Sequence, residues 1–182
     1  MVPPLLASLT SVTENLRPQT ASNERPYVIL MRHGEAPGRV EPRDFDLNDC
    51  STQRGLSDKG RKEARELGEA LRERHIKVSK VVTSRWCRAQ ETAELMNVGP
   101  IETNPAFDNL EFNKHRSGTL IDRERKLIEA WQGPGLLLIV THSSNIKVLA
   151  GLDIEQGTII VVSPTGEDDT PLHFSKSAIG AL

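Results

Sequence analysis

The chain has 182 residues, 37% of them hydrophobic and 26% charged, with a formal net charge of −2. That length supports one globular core and is short for two, and the near-neutral charge offers no basic field to hold nucleic acid, so no nucleic-acid partner is expected. The longest apolar run, Leu136 to Val140, falls far short of the roughly 20 residues a membrane span needs, which predicts a soluble protein with no span.

Residues 1–25 make a poor signal peptide, because Pro3 and Pro4 open the stretch and no basic segment precedes its apolar residues. They are read as a poorly ordered lead-in to one domain over residues 26–182. The compartment expected from the sequence as given is the cytoplasm, with a periplasmic or exported protein as the alternative. Cys50 and Cys87 permit one disulfide without requiring it, and the absence of C-x-x-C leaves a structural zinc site unsupported.

Tyr27-Val28-Ile29-Leu30-Met31 is a continuous apolar run, the signature of a parallel strand buried on both faces. It stops at Arg32-His33-Gly34-Glu35, and from Ala36 to Gly55 the chain is rich in Pro, Gly, Asp and Arg without periodicity, which predicts a loop over a site. Ser57 offers an N-cap, and Ala64, Leu67 and Leu71 at i, i+3 and i+7 predict an amphipathic helix ending near His75. A strand is expected over Val78 to Thr83, a helix over Cys87 to Met96 and a weaker strand over Ile101 to Thr103. A helix is expected from Leu120 to Trp131, closed by Gly133-Pro134-Gly135. Leu136 to Thr141 gives the strongest strand signal, followed by a short helix over Asn145 to Ala150, a strand over Thr158 to Val162 and an edge strand over Leu172 to Phe174. Strands alternating with helices predict a three-layer α/β/α domain with a mostly parallel sheet.

In an open α/β sheet, ligands bind beyond the carboxyl ends of the strands. Arg32 and His33 follow the first strand, Ser84, Arg85 and Arg88 the second, and His142 the most apolar one. Two histidines are possible metal ligands, but the neighbouring arginines repel a divalent cation and the spacing matches no zinc motif, so no metal and no cofactor are expected. Arginine forks match phosphate oxygens, and a helix opening after Ser143 adds N–H donors. A neutral imidazole attacks phosphorus directly, with two arginines and a second imidazolium stabilising the transferring oxygens. The chemistry indicated is phosphoryl transfer through histidine.

The ordered pieces Leu30-Met31-Arg32-His33-Gly34-Glu35, Leu56-Ser57-Asp58-Lys59-Gly60-Arg61, Thr83-Ser84-Arg85-Trp86-Cys87-Arg88-Ala89-Gln90-Glu91-Thr92-Ala93 and Val140-Thr141-His142 resemble the histidine phosphatase, or phosphoglycerate mutase-like, superfamily. The resemblance runs from about Tyr27 to Val162. It implies His33 as nucleophile, Arg32 and Arg88 as phosphate ligands and His142 as the completing pocket residue. Arg85 does not match the motif arginine and is read as surface charge. The resemblance places the proton donor in Phe107-Asp108-Asn109-Leu110-Glu111-Phe112, with Glu111 preferred and Asp108 the alternative acid; a raised pKa is expected for the donor, shielded by Leu110 and Phe112. His75, His115 and His173 match nothing and are read as structural or exposed.

The runs around Cys50 and Cys87 and after His142 look like a short bacterial branch, some of whose members resemble lipopolysaccharide core heptose phosphate phosphatases. That likeness implies that Cys50 and Cys87 pair and tie the long loop to the phosphate-binding segment. The expected activity is hydrolysis of a small phosphorylated substrate, such as a sugar phosphate. The alternatives are a mutase, or an inert phosphate-binding module. Arg39, Arg43 and Arg54 in the loop hint at an acidic substrate. No oligomeric state is read from the sequence.

Overall fold

The computed structural model describes residues 27–162. The lead-in, the expected edge strand over Leu172 to Phe174 and His173 lie outside the described residues.

Nine regular elements follow in order: β1 Tyr27–Arg32, α1 Asp58–Glu73, β2 Val78–Thr83, α2 Cys87–Met96, β3 Ile101–Thr103, α3 Ser117–Glu129, β4 Leu136–Thr141, α4 Ser143–Ala150 and β5 Ile159–Val162. Four short 3₁₀ turns fill the connections. The strands form one sheet in the order β3-β2-β4-β1-β5, parallel except for β5, which runs antiparallel on the edge beside β1. The expected three-layer, mostly parallel architecture is the observed one.

The layering follows from the period-2 alternation of strand side chains. Ile29 and Met31 of β1 and Leu136, Leu138 and Val140 of β4 point to one face, where α1 and α2 cover them with Ala64, Leu67, Leu71, Ala89, Ala93 and Met96. Val28, Leu30, Leu137 and Ile139 point to the other, beneath Ile128 of α3 and Ile146 and Ala150 of α4. Both faces need apolar residues, which is why these strands read as unbroken hydrophobic runs.

The Ser57 cap forms as expected, its side chain accepting from the Gly60 amide. Gly68 lets α1 press against α2, since a Cβ there would lie 1.9 Å from the carbonyl oxygen of Met96. The helix expected at Leu120–Trp131 instead spans Ser117–Glu129, because a 3₁₀ turn over Lys114–Arg116 feeds directly into it.

The order of the strands positions the site. β4 lies between β1 and β2, with Arg32 opposite Thr141 and Thr83 opposite Val140. The three segments leaving these strands, at His33, Ser84 and His142, therefore emerge side by side at one edge.

Candidate active site

His33 is 3% exposed and sits on the first peptide beyond β1, its amide donating to the Thr141 carbonyl. Its Nδ1 lies 2.8 Å from the carbonyl oxygen of Gly34. A carbonyl only accepts, so Nδ1 carries the proton and Nε2 keeps its lone pair. Burial, reinforced by the charge of Arg88, holds the imidazole pKa well below its ordinary value, so the ring is neutral near pH 7. Gly34 is itself fixed, its amide donating to Thr92 Oγ1, which donates in turn to the Arg88 carbonyl.

Arg88, in the first turn of α2, donates from Nε to His33 Nε2 across 3.0 Å. The guanidinium is 1% exposed, and burial lowers its pKa to about 10, which leaves it charged. It stacks over the Trp86 ring at 4.7 Å. Arg32 sends Nη1 to the Ile154 carbonyl, and its buried Nε has no partner among the described residues.

His142 closes the pocket from the end of β4, its ring centroid 5.3 Å from that of His33. Its Nε2 meets Ser84 Oγ at 2.9 Å, while Nδ1 is buried without a partner among the described residues. Burial and the proximity of His33 and Arg88 keep its pKa well below the ordinary value. The second imidazolium expected from the sequence is therefore a neutral imidazole in the free protein, because burial, and then the neighbouring His33 and arginines, disfavour its charged form. Arg32 Nε and His142 Nδ1 are thus two buried nitrogens without a partner among the described residues.

The two expected donor carboxylates differ sharply in setting. Asp108 is buried and closed by Arg85, whose amide, Nε and Nη2 reach its oxygens at 2.9, 2.8 and 2.5 Å. Arg85 is thus not free surface charge. Its side chain is 48% exposed, yet it pairs with a carboxylate that is 2% exposed. Glu111 is exposed on the Leu110–Phe112 turn, so the shielding expected from Leu110 and Phe112 is missing; Leu110 is buried away from it and Phe112 is itself 42% exposed. The Glu111 charge acts on Arg32 at the pocket rim.

Of the loop arginines, Arg39 and Arg43 are exposed, whereas Arg54 pairs with the buried Glu41 at 2.8 Å. Glu41 also accepts from Arg88 Nη1 at 2.9 Å. The loop is tied down by the Cys50–Cys87 disulfide and by Gln53, whose Oε1 accepts from the Cys87 amide. Phe45, Trp86 and Phe112 pack together beside His142 as an aromatic wall, with centroids 4.9 to 5.3 Å apart. His75 and His115 are exposed, as expected.

The sequence reading gave no role to Ser84 or Glu41. Ser84 was visible as the first polar residue after β2. Glu41, a lone carboxylate in a Pro-rich loop, carried no local signal, since such residues are ordinarily solvated.

Residues 28–135 match the model of the histidine phosphatase superfamily (branch 1). Over 70 residues the chain is 40% identical to a mitochondrial serine/threonine-protein phosphatase Pgam5 of Drosophila virilis and 39% to that of Drosophila mojavensis, covering 38% of this chain in each case. The match spans 22% of the length of these relatives. Among solved structures, YhfR of Bacillus stearothermophilus is 17% identical with a TM-score of 0.59, covering 86% of this chain and 98% of that one. The protein histidine phosphatase SixA complexed with tungstate is 20% identical with a TM-score of 0.53, covering 75% and 87%. These structures share the fold. With more than half of its length matched by the family model, this chain belongs to the histidine phosphatase superfamily.

Proposed function

We propose that the protein hydrolyses phosphomonoesters through a phosphohistidine at His33, without a metal, on a small phosphorylated substrate of the sugar phosphate kind. The observation that carries this reading is the tautomer of His33: the Gly34 carbonyl holds the proton on Nδ1, and Nε2 presents a lone pair beside Arg88 in a buried, cationic pocket. Attack by that lone pair on phosphorus places negative charge on the non-bridging oxygens. Arg88, the free Nε of Arg32 and Nδ1–H of His142 then stabilise it. Cations of the protein thereby take the part a metal ion plays elsewhere, and among the described residues no group of three His, Cys, Asp or Glu side chains converges to hold one. The aromatic wall beside His142 favours a leaving group with C–H faces, such as a sugar ring.

The test is rapid quenching of the enzyme with an aryl phosphate. An acid-labile, base-stable phosphoenzyme is expected in the wild type and none in His33→Ala, which should lose at least about a thousandfold in turnover while keeping its melting temperature. A rate insensitive to chelator and strongly inhibited by vanadate is expected alongside. Turnover above a few per cent in His33→Ala, or loss on chelation restored by a divalent ion, refutes the reading.

A further inference from the structure

A cleft of about 620 Å³ lies beside the aromatic wall, lined by Phe45, Asp46 and Asn48 of the long loop, Arg85 and Gln90 around the start of α2, and Thr103 of β3. Its volume falls within the range of about 300 to 1,000 Å³ typical of small-molecule sites. Two relations tie it to the phosphate pocket. Phe45 belongs to both, lining the cleft and stacking on Trp86 at 4.9 Å, while the Trp86 ring meets His142 edge-on at 5.8 Å. Arg85 directly follows Ser84, whose hydroxyl contacts His142.

The order of the strands sets the separation. Thr103 of β3 lies opposite Thr83 of β2, and Thr83 lies opposite Val140 of β4. With neighbouring strands about 4.8 Å apart, Thr103 stands about 10 Å from the end of β4 that carries His142. A leaving group that starts beside His142 must therefore be longer than a single ring to enter the cleft.

The lining selects the chemistry of such a group. Arg85 is the one cation among the lining residues, and it is already paired with Asp108 at 2.5 Å, so the cleft offers no free positive charge to a second anion. Asp46 Oδ1 accepts from the Asn48 amide and Nδ2 at 2.8 and 3.1 Å, which leaves its other oxygen without a partner among the described residues. Gln90 Nε2 donates to the Arg85 carbonyl at 2.7 Å, which leaves Oε1 in the same state. The Thr103 residue is exposed. Hydroxyl groups, which both donate and accept, match this acceptor-rich rim, and the C–H face of a sugar ring suits the Phe45 ring.

We propose that the cleft is a binding subsite for a second, unphosphorylated sugar ring of the substrate, so that a disaccharide phosphate is turned over in preference to a monosaccharide phosphate. The inference rests on the reading above in that the phosphate itself goes to the His33 pocket. Specificity then lies in Asp46, Asn48, Gln90 and Thr103, none of which touches the reacting atoms.

The test compares kcat/KM for glucose phosphorylated at its primary hydroxyl, for trehalose phosphorylated at the same hydroxyl, and for p-nitrophenyl phosphate. Wild type is expected to favour the disaccharide phosphate over the monosaccharide phosphate by about tenfold or more, mainly through KM. Thr103→Trp fills the cleft from an exposed strand position that accepts an aromatic residue. It should reduce that preference to within about twofold while leaving the other two substrates within about twofold of wild type. Should Thr103→Trp fail to fold, Gln90→Leu takes its place, with the preference expected to fall by about threefold or more. No preference in wild type, or parallel losses on all three substrates, overturns the proposal. A phosphoserine hexapeptide turned over faster than the disaccharide phosphate assigns the cleft to peptide and overturns it as well.

Binding separates this inference from the reading beneath it. His33→Ala is expected to bind the disaccharide phosphate about tenfold more tightly than the monosaccharide phosphate in calorimetry, and equal affinities refute the subsite whatever the mechanism. Absence of a phosphoenzyme in quenched wild type defeats the phosphohistidine reading alone.

Discussion

Ser84 Oγ and His142 Nε2 lie 2.9 Å apart in a buried contact that joins the ends of β2 and β4. The Trp86 amide donates to the same hydroxyl, so the single hydroxyl proton has the imidazole as its acceptor among the described residues. With the hydroxyl donating to Nε2, His142 carries its proton on Nδ1, the nitrogen left without a partner among the described residues.

Removing the hydroxyl releases the tautomer. Ser84→Ala is expected to let the proton move to Nε2 and turn a lone pair toward the phosphate oxygens. Loss of one oriented donor should lower kcat/KM on an aryl phosphate by about tenfold to a hundredfold and weaken vanadate inhibition in step. The ¹⁵N chemical shifts of His142 should show the exchange of tautomers, and unchanged shifts with unchanged kinetics would contradict the assignment.

The Cys50–Cys87 bridge closes a segment of sequence separation 37 and ends one residue from Arg88. Constraint of the unfolded chain by a loop of that size is worth about 4 kcal/mol. The double variant Cys50→Ser, Cys87→Ser is expected to melt at a clearly lower temperature, by up to roughly 10 °C, and to lose activity through a raised KM as the loop carrying Glu41 and Arg54 loosens. A melting temperature within a degree of wild type would show that Gln53 and the Glu41 ion pairs suffice to hold the loop.

Glu124 on α3 is wholly buried, accepts from Asn145 Nδ2 at 2.5 Å, and has a second oxygen with no partner among the described residues. Burial pushes its pKa up to about 8, well above the ordinary carboxylate range. Folded chains therefore hold a proton that unfolded chains release, so stability is fullest below the unfolded value and declines as pH rises through the interval up to about 8. Glu124→Gln removes that decline. The variant should match wild type near pH 4 and melt several degrees higher near pH 8, as thermal unfolding at the two pH values will show; a parallel pH dependence in both proteins would contradict the assignment.

Much of the fold was legible because the signals are local. The runs Tyr27–Met31 and Leu136–Thr141 must be strands buried on both faces, since only two covering layers accommodate unbroken apolar sequence. The spacing of Ala64, Leu67 and Leu71 behind the Ser57 cap determined α1 in the same way. His33, Arg88 and His142 were legible too, because polar groups at strand ends in an α/β sheet face one crevice. Their convergence still depended on β4 entering the sheet between β1 and β2, which no local pattern encodes.

Side-chain partners between distant segments were decided by tertiary structure alone. Arg85 reads as surface charge until the Asp108 loop folds beneath it, and Glu41 as a solvated loop carboxylate until the disulfide brings it to Arg88. Hydrophobic periodicity records which face of an element is covered, because burial of apolar area is additive and non-directional. A charged side chain is stabilised in the interior only by a specific partner at hydrogen-bond distance, and that distance exists only once the chain has folded.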